Sequence, residues 1–433
     1  MKKFLAAALI VGNLFLSSTV DAEIKNYTAT SEEVANKLET QEVVKLRALD
    51  KAIKLALTEA GDYLKKNSSL TAEEISAITS NSFELVGVPQ YNNAAKSSTW
   101  SATIEIKIDD AELKNWLQRD AIEKITLIKQ NRESEKISEA NERRIEDLRS
   151  RAENMKKQEK KFFKSEFEYV NNEFLSNQKV ETGDKFFYRG RFDDAIKLYT
   201  EALELNADNA VAYNRRGNIH NILAMNQRNV PVAESSRRQA LSDFDKAIRL
   251  DNNYADAFTN RGFTYLNAKI FSTAIKDFNR AIQLNPNDAQ NYVYRGLSYR
   301  QTDKNLALAD FNKAVELAPN AAYVYLNRGN FYEQDLKDFA KATEDYSRAI
   351  EFETQKNSLP LYYNSRGGAY QKSSLYGKAI DDYTRAIDLI ERADQKNPLL
   401  SWIYKKRGEC YKAIGDGASA QADLKKFEDL QRR

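Results

Sequence analysis

From about Asn172 to Gln431 the apolar positions recur in the three-and-four spacing of buried helix faces, and the whole pattern itself repeats. A first helical stretch carries a glycine, at Gly183, Gly217, Gly262, Gly296, Gly329, Gly367 and Gly408, with a large residue three positions later. A second stretch carries Ala195, Ala240, Ala274, Ala307, Ala342, Ala379 and Ala420. An aromatic, or finally Leu424, follows four residues on, and another small residue (finally Phe427) three beyond that. Small residues let two helices approach, and the aromatics fill the space between pairs. The glycines are 34, 45, 34, 33, 38 and 41 residues apart. That period, made of two helix-length halves, predicts an array of about seven helix pairs.

Before the array the pattern changes twice. Thr30 to Glu33 has capping-box spacing, followed by a predicted helix whose apolar face is Leu46, Leu49, Ile53, Leu57, Ala60 and Leu64. Thr71 to Glu74 repeats that spacing before a short helix. Trp100, Ala102, Ile104, Ile106 and Ile108 then alternate with polar residues, the period of a half-buried strand. Phe83, Leu85 and Val88 predict a strand pairing with it, and Asp109 and Asp110 a following helix through Leu113, Trp116 and Leu117. Residues 23–118 are thus expected to form a small α+β domain with Trp100 and Trp116 in its core. Residues 119–171 form a spacer of Lys, Arg and Glu, in which Ile145, Leu148, Ala152 and Met155 make a short heptad-like seam. A solvated helix and an oligomerising coiled coil both fit it. The lysines around Phe162 and Phe163 suit a solvated face or an acidic headgroup surface.

Met1 to Ala22 reads as an export signal: Lys2 and Lys3, an apolar core from Phe4 to Leu16, and small residues at Val20-Asp21-Ala22. Thirteen residues with Gly12 and Asn13 among them are short for a membrane span, although an uncleaved anchor is the alternative. No later stretch is apolar enough to cross a bilayer, so a periplasmic or secreted location is expected. Net charge is +3, from 66 Lys and Arg against 63 Asp and Glu, which gives no signature of nucleic-acid binding. With Cys410 and His220 the single members of their kinds, disulfides and His- or Cys-based metal clusters are excluded. Nothing resembles a nucleophile–base pair or a phosphate loop, and neither catalysis nor a cofactor is expected. His220 and Cys410 read as core residues.

In small-to-large order, period and the closing prolines Pro286 and Pro319, residues 172–431 resemble the tetratricopeptide repeat family. The resemblance implies a mainly α fold, a right-handed superhelix whose first helices line a groove for peptides or partner proteins. The second repeat departs from the pattern by an insertion around Ala224 to Ser236, and the fourth is one residue short near Asn305. The N-terminal domain resembles that of bacterial flagellar assembly-type envelope proteins in the order of its elements. Two residue sets stand out. Arg216, Arg261, Arg295, Arg328, Arg366 and Arg407 precede the glycines, and the same repeats carry Asp243, Asp277, Asp310, Asp345, Asp382 and Asp423, whereas the first repeat has Thr182 and Leu198. Arginine and aspartate that come and go together indicate structural pairs, because a buried charge needs a partner. On the other face of the first helices lie Asn214, Asn218, Asn221, Asn267, Gln301, Tyr323, Leu326, Asn330, Gln334, Asn364, Gln371 and Trp402. Amides both donate and accept, which suits the backbone of an extended peptide. An adaptor for protein or peptide partners is the expected function. The alternative is a structural component of a secretion, flagellar or outer-membrane assembly that oligomerises through its N-terminal half.

Overall fold

The computed structural model describes residues 26–34, 41–67, 72, 75, 83–85, 90–93, 99–108, 132–133, 136–137, 139–141, 143–147, 150, 159–353, 358–392 and 397–432. The expected export signal, the helix after Asp110, Trp116, the lysine cluster at 156–157 and the seam positions Leu148, Ala152 and Met155 lie outside them. Of the described helices, none is long and apolar enough to cross a membrane. The chain divides into two compact units, residues 1–118 and 119–433.

In the first unit, β1 (Asn26–Val34) precedes the long helix α1 (Gln41–Asn67), and β2 (Phe83–Leu85), β3 (Gln90–Asn93) and β4 (Thr99–Ile108) follow. The strand β4 is central. It pairs antiparallel with β1 along one edge and with β2 and β3 in turn along the other. Ala102, Ile104 and Ile106 are buried on one face, as the period of two requires. Thr30 and Glu33 are not a helix cap: they sit within β1, opposite Thr103 and Trp100. The buried face of α1 is also turned from the expected one. Val44, Ala48, Ala52, Ala56 and Ala60, four apart, are fully buried, while Leu49, Ile53 and Leu57 flank them and stay partly exposed. Alanines at the centre bring the helix backbone close to the sheet, and the longer side chains close the edges.

The second unit is a tandem of antiparallel helix pairs. They are α2 (Glu159–Tyr188) with α3 (Phe192–Leu205), α4 (Ala210–Asn226) with α5 (Val230–Leu250), and α6 (Ala255–Asn267) with α7 (Phe271–Leu284). Next come α8 (Ala289–Tyr299) with α9 (Lys304–Leu317) and α10 (Ala322–Phe331) with α11 (Phe339–Phe352). The last two are α12 (Leu359–Lys372) with α13 (Tyr376–Arg392) and α14 (Leu399–Ala413) with α15 (Gly417–Gln431). Each second helix also packs on the next first helix, so the core is continuous from pair to pair. Its centres are the fully buried rings of Tyr199, Phe244, Phe278, Phe311, Tyr346 and Tyr383. At Gly183 an added Cβ would lie 2.5 Å from the Tyr199 ring, which is why a glycine stands there.

Irregular spacing is absorbed locally. The insertion after Gly217 lengthens α4 and α5, with Pro231 in the first turn of α5, where its missing N–H costs nothing. From Gly329 to Ala342 there is one residue more than from Gly262 to Ala274, and Tyr332–Leu336 takes it up as a π-helical turn. The helix α2 runs without a break through Asn172, so the first repeat begins inside the charged spacer.

Candidate functional site

Two polar systems run through the array. The first is built on arginine. In each of Arg216, Arg261, Arg295, Arg328, Arg366 and Arg407, Nε and Nη2 donate to both carboxylate oxygens of Asp243, Asp277, Asp310, Asp345, Asp382 and Asp423 respectively, at 2.6–2.9 Å. The remaining Nη1 reaches back to the second helix of the preceding pair. There it donates to Thr200, Asp245, Asn279, Asn312, Ser347 or Thr384 at 2.7–3.1 Å. Each guanidinium also lies 5.4–5.8 Å from the ring one turn earlier, that of Tyr213, Phe258, Tyr292, Tyr325, Tyr363 or Tyr404. Only a planar fork with donors on both sides serves three partners at once, so lysine could not replace it. The sequence pairing therefore understates the motif: it fastens each pair and also ties it to the one before. Burial raises the Asp277 and Asp345 carboxyls against the lowering effect of their arginines.

The second system lies where the first helices meet, and here the expected groove contracts. Asn214 and Asn221 are buried. Asn214 donates to the Tyr254 hydroxyl and accepts from Asn260, because neighbouring first helices come close enough to claim its amide. Asn330 accepts from Tyr346, which also donates to Glu333, and Gln371 accepts from Tyr383. A buried phenol needs an acceptor. Asn330 and Gln371 supply one for Tyr346 and Tyr383, and Asp184 does so for Tyr199. Gln371 also donates to Glu409, and Asn364 accepts from Lys406, whose ammonium burial holds below its ordinary pKa. Gln301, Gln334, Asn267 and Trp402 are exposed, and Asn218, Tyr323 and Leu326 partly so. Gln301 and Gln334, however, are not on the expected first-helix face: they lie in the turn after α8 and in the π-helical turn after α10, where those helices have ended. Gln334 accepts from Arg300, Asn267 donates to Met225 Sδ, and Trp402 packs on Phe427 with Lys405 above its ring. Cys410 is buried and its thiol is pushed up to about 11, chiefly by that burial.

A constellation at the head of the array carries no sequence signature. Arg215 is 5% exposed and lies between Asp184 of α2, at 3.3 Å, and Glu133, at 2.9 Å. Tyr254, itself buried, donates to the same Glu133 oxygen at 3.4 Å. Tyr199 donates to Asp184 at 2.6 Å. Burial works against the Arg215 charge, and Asp184, Tyr254 and Glu133 more than offset it; burial also raises the Asp184 carboxyl. The one hint in the chain is that Arg215 doubles the arginine beside Gly217, while the first repeat replaces its missing pair by Asp184.

A chain of alternating short helices, each pair fastened to the last, is a helical-repeat scaffold. Three stretches of it match tetratricopeptide family models: residues 183–221 the one described as TPR repeat, and residues 255–288 and 322–355 those described as tetratricopeptide repeat. The DnaJ homolog subfamily C member 7 of Mus musculus is 30% identical over 101 residues, which is 22% of this chain and 18% of that protein's length. Among solved structures, a tetratricopeptide repeat protein from Parabacteroides merdae is similar at 18% identity and a TM-score of 0.42, over 59% of this chain and 93% of its own. YrrB, described as a TPR protein with an unusual peptide-binding site, is similar at 24% identity and a TM-score of 0.31, over 40% and 84%.

Proposed function

We propose that this chain is a non-catalytic adaptor, exported from the cytoplasm, that holds an extended segment of a partner protein along the first helices of its later repeats. Tetratricopeptide repeats point to protein interaction as the general task. What carries the finer reading is the set of side chains that stay exposed or half-exposed beside the first helices of the later repeats, of which Gln334 keeps its amide nitrogen in excess of its bond from Arg300. Gln301 in the turn after α8, Gln334 in the π-helical turn after α10 and Trp402 on α14 are exposed, and Tyr323 and Leu326 on α10 are half-buried. Amides that donate and accept, set among aromatic and aliphatic surface, fit a peptide backbone with its apolar side chains. Export rests on Lys2, Lys3 and the apolar run from Phe4 to Leu16.

A photo-crosslinking residue placed at Gln301, Gln334 or Trp402 in intact cells tests the assignment, with Lys313 and Arg348 on second helices as controls. Partner adducts are expected from the first three positions and not from the controls. Adducts from the controls alone would remove the groove. The oligomeric-assembly reading is weaker, because the described part of the spacer is engaged within its own chain: Ile145 is buried and Arg144 pairs with Glu173.

A further inference from the structure

We infer that Arg215 and Tyr254 form a carboxylate receptor for an acidic residue carried on a helix of a partner protein, and that residues 132–147 of this chain are its resident internal ligand. Along this segment the described residues are helical, and Glu133, Ile137, Asn141 and Ile145 recur at steps of four, which puts them on one face. Asn141 and Ile145 are buried and Glu133 and Ile137 half-buried, whereas Lys136, Glu139, Arg143, Glu146 and Asp147 are exposed. The stripe therefore lies against the array. Its direction is also determined. Arg144 meets Glu173 and the Tyr169 ring, while Glu133 meets Arg215, the residue that holds Asp184. Glu133 precedes Arg144 by as many residues as Asp184 follows Glu173, so the segment runs antiparallel to α2.

The two sides of this contact differ in kind. The receptor is assembled by the array alone: Asp184 fixes Arg215, Asn214 fixes the Tyr254 hydroxyl, and Asn260 fixes Asn214. Arg215 Nη2 and Tyr254 OH then converge on one carboxylate oxygen, Glu133 Oε2. A preorganised, charge-assisted pair of donors binds a carboxylate without having to order itself. The ligand is held less well. Its ion pair at Arg144 is on the surface, and Asn141 Nδ2 is buried with no hydrogen-bond partner. Such a segment keeps its place through tethering, because the covalent link sets a high effective concentration, and a partner helix must compete with it. The inference stands apart from the groove on the later repeats.

The test uses the full chain and a fluorescent peptide of its own residues 130–150. Wild type, with the receptor filled, should bind the peptide weakly, and the Ile145→Asp/Glu133→Gln chain should bind it about tenfold more tightly or better. A peptide carrying Gln in place of Glu133 should lose about tenfold on the released chain, and adding Tyr254→Phe to that chain should weaken the original peptide several-fold. Hydrogen exchange should show residues 132–147 opened in the released chain with residues 172–226 still protected. Equal binding by wild type and released chain, indifference to the Glu133→Gln change in the peptide, or loss of protection across 172–226 would each overturn the proposal. The last would make the segment a fixed part of the core.

Discussion

From the second repeat to the seventh, six guanidinium groups each join three elements: an aspartate in their own pair, a polar residue in the pair before, and a ring one turn back. At the head of the array Thr182 and Leu198 occupy those places, and the charges lie on another face, where Asp184 holds Arg215 and a Glu133 from outside the repeats completes the set. The later joints are closed. Every strong donor of the arginine has a partner that folds with it. The head is open in the sense that one of its carboxylates comes from a separately held segment. The same chemistry, an arginine shared by carboxylates, is a rivet in one place and a receptor in the other, and what decides between them is whether the second acid belongs to the rigid array.

The sharpest way to break this comparison is to give a later repeat the first repeat's residues. Asp310→Leu alone leaves Arg295 in a mostly buried site without its carboxylate, and a loss of about 3 kcal/mol is expected. Arg295→Thr/Asp310→Leu, which copies Thr182 and Leu198, should recover to within about 1 kcal/mol of wild type, since a buried pair exchanged for apolar packing is close to neutral. Urea unfolding, with hydrogen exchange read separately on α8 and α9, measures both, because repeat arrays need not unfold as one unit. If the double variant were as unstable as the single one, the arginine's reach to Asn279 would be the dominant tie.

Much of this was legible in the chain. The period, the glycines and the co-occurring arginines and aspartates define the helix pairs and their internal fastening, because each is a local pattern repeated several times. The candidate groove was legible only in part. A helix period says which way Asn214 or Asn330 points but not whether a neighbouring side chain claims it, and for Asn330 and Gln371 the informative signal sat elsewhere, in the choice of Tyr346 and Tyr383 over phenylalanine in the core. Glu133 and Arg215 are 82 residues apart with no repeating register to connect them. The turned face of α1 was missed for a different reason: its alanines carry a weak hydrophobic signal, although they make the closest approach to the sheet.

A smaller effect distinguishes the two ends of the array. At Gly183 an added methyl meets a Tyr199 ring that cannot swing aside, since its hydroxyl is held by Asp184. Gly183→Ala should cost about 2 kcal/mol by overpacking. At Gly408 the nearest atom is the Asp423 Cβ at 3.2 Å and the following core residue is the flexible Leu424, so Gly408→Ala should change stability by less than about 1 kcal/mol. Thermal melting of the two variants is a direct comparison. Smaller again is the gain at a turn: Lys269 closes α6 with φ at +61°, a place filled by Gly190 and Gly415 elsewhere, and Lys269→Gly should add about 0.5–1 kcal/mol. The same melting measurement reads it, and a loss would mean the lysine side chain contributes more than its backbone strain costs.

The least effect is expected from His220, which stands where five other repeats have tyrosine and is the chain's single histidine. Burial holds its imidazole below the ordinary histidine range, ahead of the raising effect of Asp243 and the lowering one of Arg216. A depressed folded-state value means that the unfolded chain takes up the proton more readily. Its contribution is therefore fully present above the unfolded pKa and is lost as pH falls through the folded one. Melting temperature should decline gently between about pH 7 and pH 5 through this residue, within the range where histidines titrate. In His220→Tyr that part of the decline should vanish, while the neutral-pH stability stays equal or rises as the ring comes to match those of Tyr265 and Tyr299. NMR titration of the lone imidazole checks the direction independently: a folded-state value at or above the ordinary one would exclude burial as the controlling force, and the raised carboxyls of the arginine joints could not supply the acid sensitivity in its place, because a carboxyl raised in the folded state adds stability as pH falls.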